Sequence, residues 1–93
     1  MSSTVLVTTS GTKTYITDRD IENAFRELIS VGFTPLEASD QALLLCIGRA
    51  EASDMSTQSL LYGQSDFPQE LALLARVNSL LAAKEQTTLT TTE

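Results

Sequence analysis

The alternation of apolar and polar residues predicts three helices, and the first is marked at both ends. Thr17 is a favourable N-cap, and Gly32 suits the left-handed position that follows a helix. Between them, apolar residues recur every three or four positions and form one stripe: Ile21, Ala24, Phe25, Leu28 and Ile29. The spacing therefore predicts an amphipathic helix with one buried side.

A second helix is predicted from Thr34 to about residue 53. Thr34 and Glu37 form a capping box, with a proline at the first helical position. Residues 42–47 are all apolar and cover more than a full turn, so this part of the helix must be buried all round. Either it is the central element of the fold, or a second subunit covers part of it. Gly48 indicates either close approach of another helix or a tolerated weak point.

The third predicted helix begins with Asp66 as its cap, has Pro68 in the first turn, and ends near Lys84. Its apolar residues form two seams: Leu71, Leu74 and Leu81 beside Leu73, Val77 and Leu80. Asn78 falls on one seam, where it either fixes a helix–helix register or reaches water. A polar connection over 54–65 precedes this helix, and the Thr-rich residues 86–93 are predicted to be disordered or held by a partner.

Before the helices, Val5, Val7 and Tyr15 favour extended structure, and Gly11 suits a tight turn. We expect a β-hairpin of residues 4–8 with 13–16, the alternative being an irregular arm. The predicted fold class is α-rich α+β: an N-terminal β-hairpin or extended arm followed by a three-helix bundle. Residues 1–93 make one domain, with the arm or hairpin over 1–16, the helical core over 17–85 and the tail over 86–93.

Composition argues against most kinds of chemistry. The chain has no histidine and one cysteine, Cys46, which lies in the apolar run and reads as a buried small hydrophobe. Asp18, Asp20 and Glu22 resemble the opening of a calcium loop, but Ile29 stands where the bidentate glutamate is needed. We therefore predict a non-enzymatic protein with no catalytic residue, no cofactor, no metal site and no small-molecule ligand.

The net charge of −6 arises from twelve acidic and six scattered basic residues, an arrangement that disfavours nucleic-acid binding. No apolar run is long enough to span a membrane, and the first residues lack the pattern of a signal peptide. The expected location is the cytoplasm, or a particle such as a virion assembled there.

These properties indicate a protein that acts through contacts with other proteins or with itself. The first hypothesis is a structural or assembly protein that forms a homo-oligomer or a repeated component of a larger particle, for example a bacteriophage connector or neck component. The alternative is a small acidic regulator or inhibitor of a larger host or defence protein. The candidate interface residues lie on the arm and on the second and third helices: Val5, Val7, Tyr15, Leu44, Leu45, Gly48, Leu73, Val77 and Leu80.

Overall fold

The computed structural model describes residues 3–55 and 65–91, with side chains up to residue 85. A hairpin of β1 (Ser3–Val7) and β2 (Lys13–Thr17) leads into the helices. The described helices are α1 (Asp18–Ser30), α2 (Pro35–Asp54) and α3 (Pro68–Thr91). The α-rich α+β fold is thus confirmed, with a hairpin at its N-terminal end. Most of the predicted connection over 54–65 lies outside the described residues.

The hairpin is antiparallel, with Val5 opposite Tyr15. Its turn is closed by two backbone hydrogen bonds of 2.9 Å, from the Thr8 N–H to the Thr12 carbonyl and from the Gly11 N–H to the Thr8 carbonyl. Gly11 has φ +92°, a conformation that glycine adopts without steric cost. This is a three-residue loop with a glycine bulge, which fixes the strand register.

The helix α1 has the predicted boundaries because both of its ends are satisfied locally. The Thr17 hydroxyl accepts a 3.2 Å hydrogen bond from the Asp20 N–H, and the Asp20 carboxylate accepts one of 3.0 Å from the Thr17 N–H. At the other end, Gly32 has φ +107° and the Phe33 N–H donates to the Leu28 carbonyl at 3.0 Å. This is a Schellman motif, which satisfies carbonyls that the helix leaves free.

The helix α2 is the central element of the chain, since it packs against α1, α3 and β2. It begins with the predicted capping box of Thr34 and Glu37. Every residue of its apolar run, 42–47, is buried or half-buried by the rest of the chain, and Leu45 has no exposed surface. The core around it contains Ala24, Leu28, Ala38, Ala42, Leu45 and Val77. The chain itself therefore provides most of the cover for this helix.

Gly48 lies where the start of α3 crosses α2. A Cβ atom on Gly48 would collide with the backbone carbonyl oxygen of Glu70, so a larger residue could not fit without a shift of the backbone. Of the two interpretations of Gly48, the structure supports close approach, and the approaching helix belongs to the same chain.

The helix α3 departs from prediction at both ends. It begins at Pro68, so Phe67 takes the N-cap position and Asp66 does not. The N–H of Asp66 instead donates to the Thr9 hydroxyl at 2.9 Å. At the other end, the helical backbone continues to Thr91, beyond the predicted end near Lys84. Asn78 is exposed, as expected of a residue at the edge of the apolar face.

Candidate functional site

The outward side of the hairpin carries an exposed apolar cluster. Val5, Val7 and Tyr15 retain 54%, 51% and 62% of their surface, and they share one side because side chains alternate along a strand. We call these three residues the hairpin face. On the opposite side, Leu6 and Ile16 are buried at 7% and 3% exposure. Within the described residues, the hairpin is therefore packed on one side, while its other side is uncovered and mostly apolar, with Lys13 opposite Val7.

The β1 strand also presents unpaired backbone groups along its outer side. Hydrogen-bonded and non-hydrogen-bonded pairs alternate in antiparallel strands. Because Thr8 and Thr12 form a hydrogen-bonded pair, every second pair counted from them is hydrogen-bonded and the pairs between are not. The N–H and C=O groups of Ser3, Val5 and Val7 consequently point away from β2. Within the described part of the chain, these groups have no hydrogen-bond partner and no third strand pairs with the hairpin. We call this side the β1 edge.

The corresponding edge of β2 is less accessible. The N–H of Thr17 already donates to the Asp20 carboxylate, and β2 packs against both α1 and α2. No such contact with a helix is prominent for β1, whose main neighbour is β2. Of the two edges, the β1 edge is therefore the more open.

A network of polar side chains fixes the hairpin turn to the helices. Glu51 in the last part of α2 has no exposed surface; its Oε1 accepts the Thr9 N–H at 2.9 Å, and its Oε2 accepts the hydroxyls of Thr9 and Ser65. Asp54 accepts the hydroxyl of Thr8 at 2.6 Å and that of Ser10. We call these six residues the turn cluster: Thr8, Thr9, Ser10, Glu51, Asp54 and Ser65.

The hydrogen bonds of the turn cluster favour the charged form of both carboxyl groups. Burial acts to raise the pKa of Glu51, but the hydrogen bonds from Ser65 and Thr9 outweigh it, and the pKa lies below its ordinary value. Hydroxyl donors, that of Ser10 first and then that of Thr8, likewise lower the pKa of Asp54. Two carboxylates therefore remain ionised next to each other because each has its own donors.

Sequence reasoning missed the turn cluster, although one signal pointed to it. The buried positions of α2 follow one stripe, which passes through Ala42, Leu45 and Gly48 and continues to Glu51. A carboxylate on a buried stripe requires hydrogen-bond donors from elsewhere in the chain. That requirement, rather than a motif, could have singled out Glu51.

The predicted interface residues divide into three groups. Val5, Val7 and Tyr15 are exposed and form the hairpin face. Leu45, Gly48 and Val77 are buried within the chain, so they contribute to its own packing and offer no surface to a partner. The remaining three are half-buried on the helices: Leu44, Leu73 and Leu80. The structure thus narrows the exposed candidates to the hairpin.

A shallow pocket of about 290 Å³ lies between β2, α1 and α2, and Cys46 contributes to its wall. The Cys46 thiol donates to the backbone carbonyl of Asp20 at 3.4 Å. Burial raises the pKa of this thiol, with a further increase from Asp20, and Arg49 opposes the shift only in part. Arg49 is also paired with Glu27 at 2.6 Å. The surroundings therefore favour a protonated, unreactive thiol.

Other kinds of site find little support in the part of the chain that the structure describes. No group of three or more Cys, Asp or Glu side chains there could hold a metal ion. None of the described helices combines the length and apolar character needed to cross a bilayer. No protein-family model, curated protein or solved structure matches the chain. The hairpin face and the β1 edge are therefore the features on which a function can be argued.

Proposed function

We propose that this protein is a non-enzymatic structural or assembly protein that forms a homo-oligomer through its N-terminal hairpin. The observation that carries the proposal is the coincidence of three exposed apolar side chains with an open strand edge on the same small element. An exposed apolar patch beside unpaired backbone groups is typical of surfaces that another strand completes.

The way the hairpin is held supports this role. A two-stranded hairpin is marginally stable in water, so it needs support from the rest of the fold. The chain supplies that support from one side, through Leu6 and Ile16, and from the turn, through the buried carboxylate of Glu51. The hairpin is thus kept in a fixed position while its apolar face stays uncovered.

The strand lacks the devices by which proteins usually protect an exposed edge. β1 has the sequence Ser-Thr-Val-Leu-Val, with no charged residue and no proline. Natural edge strands commonly carry lysine, proline or a bulge that prevents pairing with another chain. In a chain with a net charge of −6, an edge strand without charge or proline is suited to a specific contact with another strand.

The test is the molar mass in solution, measured by light scattering across a range of protein concentrations. We expect the wild-type chain to form a defined oligomer and Val5→Lys to lower its mass, because lysine would place a charge in the contact. Leu36→Lys is the matched control, since Leu36 is 75% exposed on α2 and outside the hairpin, and it should keep the wild-type mass. Far-UV circular dichroism should report the same helix content in all three proteins.

A wild-type chain that is monomeric at every concentration would overturn the proposal. The acidic regulator or inhibitor of a larger protein would then be the better hypothesis. An equal decrease in oligomer molar mass in both lysine variants would instead indicate a general effect of charge. It would also contradict the placement of the hairpin in the interface. The broader hypothesis is that the protein is a repeated component of a larger particle. Experiments on the purified protein test one part of it, the formation of a homo-oligomer.

A further inference from the structure

We infer that two copies of the chain pair β1 against β1 in antiparallel orientation, across a two-fold axis that passes beside Val5, and so form a four-stranded sheet. The inference rests on the proposed homo-oligomer and specifies its contact. It follows from the direction of the unpaired backbone groups, the absence of charge on β1 and the unequal access to the two edges of the hairpin.

The register is determined by which residues of β1 face outward. In an antiparallel pair, a residue whose N–H and C=O point towards the partner strand exchanges both hydrogen bonds with the residue opposite. The outward residues are Ser3, Val5 and Val7, so they must pair with one another. With Val5 opposite Val5 of the second copy, Ser3 lies opposite Val7 at both ends, and each of these three pairs forms two hydrogen bonds. Among the described residues of β1, any other register leaves some of these groups unpaired.

A two-fold axis perpendicular to the sheet also keeps the hairpin faces of both copies on the same side. Val5 and Tyr15 are neighbours across the hairpin, so the sheet would present a row of Tyr15, Val5, Val5 and Tyr15. The isologous contact uses the same patch on both copies and closes on itself as a dimer. The apolar cluster of one copy thus becomes continuous with that of the other.

Among the places where two copies could meet, charge favours the β1 edge. Each chain carries a net charge of −6, so contacts between copies are disfavoured wherever acidic residues meet. β1 has no charged residue, and the pairing brings together only serine and valine residues along the new ladder. The accessibility of the two edges also favours β1. On the β2 edge, the N–H of Thr17 is already bonded, and β2 is packed on α1 and α2.

Cysteine cross-linking tests this geometry in a Cys46→Ala background, which removes the natural thiol. Opposed Cα atoms in a hydrogen-bonded antiparallel pair lie about 5.5 Å apart, within the roughly 4.4–6.8 Å that a disulfide requires. Val5→Cys should therefore form covalent dimers under mild oxidation, seen by non-reducing electrophoresis as loss of most of the monomer band. Tyr15→Cys is the matched control on the same face, because its two copies would be three strand spacings apart, about 14 Å.

Each outcome either supports the pairing or overturns it. Preferential cross-linking of Val5→Cys, with the wild-type mass retained before oxidation, supports it. Cross-linking of Tyr15→Cys instead, or only of a mixture of the two variants, would show pairing through the β2 edge or between β1 and β2, and overturns the inference while the homo-oligomer stands. A monomeric wild-type chain overturns both. Should Cys46→Ala lose helix content, Cys46→Val provides a background of more similar side-chain volume.

Discussion

Replacing Glu51 with glutamine should weaken the attachment of the hairpin to the helices. Glutamine preserves the shape of the side chain, but its NH2 group cannot accept the hydroxyl hydrogen bonds that Oε2 accepts from Thr9 and Ser65. Hydrogen bonds to a charged group contribute about 1.5–3 kcal/mol each. Because Thr9 is exposed and Ser65 half-buried, water can satisfy part of what is lost. We therefore expect the free energy of unfolding to fall by about 2–3 kcal/mol.

Urea denaturation at pH 7, followed by far-UV circular dichroism, measures this loss. The matched control is Glu22→Gln, the same chemical change in an exposed pair in which the Glu22 and Arg26 side chains retain 58% and 73% of their surface. Exposed pairs of this kind contribute less than about 1 kcal/mol, so the control should stay close to wild type. Equal denaturation midpoints for the two variants would refute the reasoning that Glu51 anchors the hairpin.

The same variant should change how stability depends on pH. The pKa of Glu51 in the folded chain lies below its ordinary value of 4.5, so its contribution is present above pH 4.5 and is lost as the pH falls through the folded pKa. Glu51→Gln should accordingly show a shallower loss of stability below pH 4.5 than wild type. Asp54, whose pKa is also lowered, is present in both proteins, so the difference between them reports Glu51 together with its charge repulsion with Asp54. If the stability of both proteins fell equally steeply below pH 4.5, the lowered pKa of Glu51 would be contradicted.

Three further predictions concern α2. Leu45→Ala should lower the free energy of unfolding by about 2–5 kcal/mol in urea denaturation, whereas Leu36→Ala, at 75% exposure, should change it by less than about 0.5 kcal/mol. Gly48→Ala should destabilise by about 1–3 kcal/mol although alanine favours helices, because its Cβ would collide with the Glu70 carbonyl; a raised midpoint would mean that the helices are further apart. Cys46 is half-buried in the wall of a pocket and its thiol pKa is raised, so at pH 7 it should react with a thiol reagent more slowly than free cysteine; reaction as fast as that of free cysteine would contradict this reasoning.

The features that were predicted correctly are those encoded over a few neighbouring residues. The cap at Thr17, the capping box at Thr34 and the glycine at position 32 each depend on residues within one or two turns of the helix. Local hydrogen bonds of this kind follow from residue type and spacing alone. The existence and order of the helices could therefore be predicted without any knowledge of how they pack.

The sequence-based predictions were incomplete where the structure depends on residues far apart in the chain, or where the sequence carries no signal that ends an element. Thr9 and Glu51 are 42 positions apart, and no local pattern places them together. The end of α3 was predicted where its apolar pattern fades near Lys84, but no glycine or proline follows to end the helix. An apolar stripe does not reveal whether the same chain or a partner buries it, so the sequence alone does not separate Leu45 and Val77, which are buried within the chain, from interface residues.

The structure connects the stability of the hairpin with its proposed contact. Ordering a flexible strand at an interface costs conformational entropy, which reduces the affinity of the contact. Here that ordering has already occurred within the monomer, because the turn is hydrogen-bonded to Glu51 and the inner side of the strands is buried through Leu6 and Ile16. Three or more strands are usually needed for a sheet with independent stability, and the hairpin alone has two. A second hairpin across the β1 edge would meet that requirement with backbone groups that have no partner among the residues the structure describes.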